Sequence, residues 1–202
     1  MEKLIGKDKD IESQIRVLKQ ILLSSKELNY ILHKLQETNL NNYYVGAGVI
    51  HQTVWNYYCD MPLNHGIKDV DIVYFDNDTS YEKEDIIINQ IRELLIDIHD
   101  FKLDIINEAR VHLWYKDKFG YDIEPLKNVE DAINKWPTTV TSIGVRLIKD
   151  ELIVYAPYGL NDMYSLILRP NKAIVTKEEI YNQKVLKWTK QWPNLKVIPW
   201  NN

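Results

Sequence analysis

The stretch from residue 69 to residue 75, DVDIVYF, governs how the rest of the 202-residue chain is read. Its β-branched and aromatic content marks a strand. Alternation along a strand sends Asp69 and Asp71 to one face and Val70 and Ile72 to the other. A lone acid pair of this kind usually faces water. Here the apolar company predicts an interior strand instead. Two carboxylates about 5 Å apart in a partly buried site repel by roughly 3 kcal/mol at an effective dielectric of about 20, so something positive is expected beside them.

Two flanking stretches bear on what that is. Upstream, residues 45–48 read VGAG, after the β-prone Tyr43 to Val45 and before a helical pattern over Val49 to Tyr58. Glycine permits close packing of strand on helix, and a strand that turns into a helix there presents backbone N–H groups and a positive dipole end to an anion. Gly46, Ala47 and Gly48 are therefore candidates for a phosphate-facing turn. Downstream, Asp104 interrupts the apolar run FKLDII at 101–106. Aspartate is a poor strand former and is rarely buried without a partner. If its strand lies beside DVDIVYF, Asp69, Asp71 and Asp104 gather into an all-oxygen site suited to Mg2+ or Mn2+. A dinucleotide-binding glycine turn is the rival, but it requires a small residue where His51 stands and a single acid rather than an alternating pair.

Around this nucleus the chain reads as α+β. Apolar residues from Asp10 to Gln36 recur at helical spacing, in one helix or in two broken at Ser24-Ser25. Thr79-x-x-Glu82 resembles a capping box before a helix reaching Ile98, and a further helix is expected over Asn107 to Phe119. TVTSIGVRLI and ELIVYAP flank Lys149-Asp150 as a hairpin, and helices are expected over Gly159 to Leu168 and Thr176 to Trp188. The expected architecture is a mixed sheet flanked by helices in residues 1–120, with a hairpin and helical extension over 121–202 that closes over or flanks the site; the boundary is soft enough for a single domain.

Composition narrows the function. The formal charge of −4 carries no basic tail or stripe of the kind that tracks a phosphate backbone. Cys59 is the single cysteine, so neither an intrachain disulfide nor a multi-cysteine zinc site can be written. No segment approaches 18 uninterrupted apolar residues, and the N-terminus lacks the apolar core of a signal peptide. The expectation is a cytoplasmic protein with no membrane segment.

A glycine turn, a DxD strand and a later third acid resemble the DNA polymerase beta superfamily of nucleotidyltransferases. More narrowly, VGAGVIHQTVW, IKDVDIVYFD, NEARVHLWY, EDAINKWPTTVTSIGVRL, VYAPYGLNDMYSLILRPN and WPNLKV, in this order, resemble a bacterial nucleotidyltransferase-like family once known only as a domain of unknown function. The resemblance implies a nucleotidyltransferase fold, a nucleoside triphosphate substrate and divalent metal at Asp69 and Asp71. Asp104 would be the third acid, helping to position metal and to activate an acceptor hydroxyl. The acceptor is expected to be a small molecule or a protein rather than RNA. Two positions depart from the family pattern: His51-Gln52 stands where Arg-Asn is usual, and Glu108 where Gln is usual. The first departure also motivates a competing reading, a non-catalytic nucleotide-sensing or protein-interaction module on the same fold.

Several other residues attract attention. Arg110 is a candidate nucleotide contact and His112 a weaker one. Arg146, inside an apolar strand, is expected to pair with a buried acid. Asp76 and Asp78 lack the glycine and terminal glutamate of a calcium loop, which leaves a turn and helix cap. The tryptophans and tyrosines are expected chiefly in packing.

Overall fold

The computed structural model describes residues 3–40, 42–172 and 177–201. The N-terminal pattern resolves into α1 (Ile11–Ser24) and α2 (Lys26–Leu35), broken where expected. Asp10 caps α1 by accepting from Ser13 N, and Ser25, in extended backbone, both ends α1 and caps α2 through Leu28 N. Leu18, Ile21 and Leu22 of α1 and Leu28, Ile31, Leu32 and Leu35 of α2 form one buried apolar face.

Five strands form the main sheet: β1 (Tyr43–Gly46), β2 (Asp69–Tyr74), β3 (Lys102–Asn107), β4 (Gly144–Ile148) and β5 (Glu151–Tyr155). Their order is β3-β2-β1-β4-β5, with β2 and β3 parallel and the other neighbours antiparallel. The acid strand β2 is thus interior, as its apolar neighbours predicted. The hairpin β4-β5 continues the same sheet through β1, so residues on both sides of position 120 share one layer.

One face of the sheet, including Val45, Val70, Ile72, Ile105, Val145 and Leu147, packs in a single core with α1, α2 and α3 (Gly48–Tyr58) and with Ile87 and Ile91 of α4 (Tyr81–Leu94). The other face is covered only in part. Tyr44 and Val73 meet Val129 and Ile133 of α6 (Val129–Asn134), while Val111 of α5 (Val111–Phe119) packs with Leu126 and Ala132. Asp69 and Asp71 belong to this second face.

Four local expectations are corrected. The cap of α4 is Ser80, which accepts from Lys83 N, rather than Thr79, and the helix ends at Leu94, not Ile98. Asn107 closes β3, and Glu108–Arg110 form a 3-10 turn before α5. Residues 138–143 do not extend β4, because Thr138 and Thr141 bond to each other through backbone and hydroxyl groups and turn the chain. The helix expected over Gly159 to Leu168 is only α7 (Asn161–Tyr164). The residues after it are drawn into β6 (Ile167–Leu168), parallel to β7 (Lys196–Val197), and Tyr181 Oη donates to Leu168 O at 2.9 Å. The last long helix, α8, spans Glu178–Gln191; the expected start at Thr176 lies outside the described residues.

Among the described residues, no helix is long and apolar enough to cross a membrane. Trp188 of α8 and Trp192 just beyond it are buried in the main core. Trp192 Nε1 donates to Asn56 Oδ1 at 2.8 Å, and Asn56 Nδ2 donates to Leu63 O and His65 O, so one buried amide ties α3, the loop leading to β2 and the C-terminal segment together.

Candidate active site

The three acids meet on one rung system. Asp71 is paired with Gly46 on β1 and with Asp104 on β3, and Asp69 pairs with Lys102. Register partners on adjacent strands project to the same face, so Asp69, Asp71 and Asp104 stand together where the C-terminal end of β1 adjoins the first halves of β2 and β3. Asp104 Oδ1 is held by Lys102 Nζ at 2.6 Å. Among the described residues, no group of three or more His, Cys, Asp or Glu side chains is arranged to hold a metal ion.

The electrostatic cost of the cluster falls on Asp71. Burial, then the neighbouring Asp69, then Asp104 push its carboxyl up to about 7, against weaker opposition from Lys184 and Lys102. Glu108, at the exit of β3, is buried and pushed up to about 8 by desolvation and by Asp71. Its position is set by Asn107, whose Oδ1 accepts from Asp76 N and Ala109 N and whose Nδ2 donates to Asp76 O. The neighbouring Asp76 and Asp78 form a turn: Asp76 Oδ1 accepts from Asp78 N, and Asp78 Oδ1 from Ser80 N.

The glycine turn owes its composition to crowding. A Cβ on Gly46 would lie 2.7 Å from Trp136 Cη2 and 2.8 Å from Ile143 O, and one on Gly48 would lie 3.0 Å from Gln52 Nε2 and 3.9 Å from Asp69 Oδ1. Neither glycine has positive φ. The unusual backbone falls on Ala47, at φ 52° and ψ −122°. Ala47 also provides no side-chain cap for α3, which leaves the first-turn N–H groups without the partner that a capping residue supplies.

His51 lies under this turn without charge. Its Nδ1 is 2.9 Å from Ala47 O, its ring meets Trp55 and Trp188 edge-on, and burial lowers its pKa to about 3. A carbonyl at Nδ1 assigns the proton to that nitrogen. His51 is a packing residue beneath the turn.

A cavity of about 790 Å³ opens beside Asp71 and Glu108. Ala47, Asp71, Glu108, Thr141 and Lys184 line one part of it, and Trp114, Tyr115, Phe119, Tyr121, Leu126 and Trp136 another. The volume falls within the usual range for small-molecule sites. Arg110 does not line it: Nη1 bonds Glu84 Oε2 at 3.0 Å and Ser80 O at 2.9 Å, which anchors the start of α4. Arg146 lies over the Tyr44 ring, 5.0 Å from its centroid. Thr139 Oγ1 donates to Asp162 Oδ2. Sequence reasoning did not single out Lys184 or Trp136, because a lysine on an amphipathic helix and a tryptophan before proline carry no local mark of a site.

A sheet that brings a glycine turn, an alternating acid pair and a third acid onto one face, beside a cavity of this size, places the protein among the nucleotidyltransferase-like folds. A family model described as nucleotidyltransferase matches residues 33–197, and the chain belongs to that family. A solved structure described as "The NMR structure of the protein reveals a CCA-adding enzyme head domain" is similar, with a TM-score of 0.72, 24% identity and coverage of 91% of this chain and 95% of that one. At that identity the likeness is one of fold. Comparison with the curated proteins returned no match.

Proposed function

We propose that the protein transfers a nucleoside monophosphate from a nucleoside triphosphate to a hydroxyl acceptor, with Mg2+ or Mn2+ at Asp69 and Asp71. The observation that carries this reading is the shared rung of Gly46, Asp71 and Asp104, whose central member, Asp71, lines the cavity. The donor set suits a hard divalent ion: all the available ligands are carboxylate oxygens, and a cation beside Asp71 would relieve the repulsion that favours its protonated form. Two carboxylates suffice for magnesium, which usually completes its shell with water and substrate phosphate oxygens. When bound, such an ion neutralises charge on the attacking and leaving oxygens.

The chain's own groups do the rest. The turn at Gly46 to Gly48 takes the phosphates close to the backbone, with the uncapped start of α3 facing them. The acceptor oxygen forms a bond to the α-phosphorus, and the bond from that phosphorus to the bridging oxygen of the β-phosphate breaks. Pyrophosphate leaves with the electron pair. The hydroxyl proton passes to Asp104, which Lys102 holds in place. The aromatic wall formed by Trp114, Tyr115 and Trp136 supports a small-molecule acceptor or a nucleobase within the cavity.

Uncharged His51 favours the second reading, a nucleotide-sensing module without turnover, since it offers no cation at the turn. One experiment separates the two. The protein is incubated with α-labelled nucleoside triphosphates, magnesium and fractionated extract, in parallel with Asp69→Asn and Asp71→Asn. The transfer reading expects label in a product with the wild type and none with either variant. Magnesium-dependent nucleotide binding without labelled product supports the sensor. Unchanged binding and labelling in both variants overturns the assignment of the acids.

A further inference from the structure

Lys184 is carried by α8, far in sequence from the acid strands, yet it lines the same cavity as Asp71 and Ala47. Its Nζ lies 5.0 Å from the centroid of Trp188. Trp188 in turn packs edge-on against His51 and Trp55 of α3, at 4.9 and 5.7 Å between ring centroids. The helix that carries Lys184 is therefore fastened to the helix that begins at the glycine turn.

Four other cations of the region are engaged. Lys102 is paired with Asp104, Arg110 with Glu84 and Lys135 with Asp131, while Lys118 lies over the rings of Trp114 and Phe119. Among the described residues, Lys184 makes no ion pair within 4.0 Å. Burial, then the neighbouring Lys187, lower its pKa, against weaker opposition from Asp71 and Asp69, which act on it through space. A partly desolvated ammonium that faces an acid site without touching it is matched to an anion arriving between them.

We infer that Lys184 binds phosphate oxygens of the nucleoside triphosphate, which makes α8 a working part of the active site; this rests on the nucleotidyl-transfer reading above. The ligand class is a di- or triphosphate, recognised by charge. Removing Lys184 then weakens binding of the phosphate chain and leaves a nucleoside unaffected.

The test uses the full chain and inorganic pyrophosphate, with magnesium present, as the probe of the phosphate subsite. Ligand-induced shifts in melting temperature and isothermal titration are compared for wild type, Lys184→Met and Lys184→Arg, with a nucleoside triphosphate and the corresponding nucleoside alongside. The expected result is at least a tenfold loss of affinity for pyrophosphate and triphosphate in Lys184→Met, substantial retention in Lys184→Arg and unchanged nucleoside binding. A residue that serves only as counter-ion to the acids would lower the ligand-free melting temperature and leave the ligand-induced shift intact. That outcome overturns the inference, as does equal pyrophosphate affinity in wild type and Lys184→Met. Should Lys184→Met not fold, Lys184→Gln is judged by the same shifts. If the wild type binds neither triphosphate nor pyrophosphate, the nucleotidyl-transfer reading itself falls, which is distinct from a failure confined to Lys184.

Discussion

Asp71 and Asp104 occupy the same rung of the parallel β2–β3 pair, and Asp71 bears the strain of that placement. Its carboxyl is raised from 3.8 to about 7, so the native state holds a proton that the unfolded chain releases. The resulting stability is fully present below about pH 4 and is lost as pH rises through about 7. Glu108 adds a similar dependence, up to about 8. In urea melts, the metal-free protein is expected to lose stability between about pH 5 and about pH 8. Asp71→Asn should flatten this slope and gain on the order of 1–3 kcal/mol over the wild type at the upper end. Excess magnesium should stabilise the wild type there and not the variant.

Gly46 is enclosed by Trp136 and the Ile143 carbonyl. Gly46→Ala is expected to cost about 1–3 kcal/mol through overpacking, read from denaturant midpoints at unchanged slope. Trp136→Leu in the same chain should recover part of the loss, because the aromatic contact is relieved while the backbone carbonyl remains.

Ala47 presents the opposite case. Its backbone lies where L-residues are strained, and glycine removes that cost at the expense of unfolded-chain entropy. Ala47→Gly should leave stability unchanged or raise it by up to about 1 kcal/mol, and Ala47→Val should lower it. Thermal melts of the two variants give opposite or strongly unequal shifts; a similar loss in both would show that the turn relaxes freely.

Arg110 serves α4 rather than the cavity. Arg110→Ala removes its bonds to Glu84 and Ser80 and leaves Glu84 partly buried without its partner, at a cost of about 2–3 kcal/mol. Triphosphate affinity of the folded variant should match the wild type. A tenfold weakening would return Arg110 to the list of substrate contacts.

Much of the architecture was legible because it is written in local pattern. Alternation in DVDIVYF placed Asp69 and Asp71 on one face, and the awkwardness of Asp104 among apolar residues pointed to a neighbouring acid strand, which the β2–β3 register provides. Ser25 announced the break between the first two helices. What escaped was decided by tertiary contact. The backbone demand at the glycine turn falls on its alanine, since crowding by Trp136 and Gln52 accounts for the glycines. Lys184 looks like any solvated lysine until α8 is docked through Trp188 and Trp192. The segment after Tyr164 has helical composition, but its carbonyls are taken by β7.

The strand order also sets a timetable. Val45 pairs with Val145, one hundred positions later, so β1 is an open edge until the hairpin has been made, and α8 arrives later still. Contacts this remote in sequence slow folding and prolong exposure of unpaired strands. During synthesis the acid strands can assemble first as a half-sheet, with the glycine turn formed before Trp136 packs against Gly46. The period between those events is when the chain is most exposed to edge-to-edge association, and β1 is the edge that a holding chaperone would have to cover.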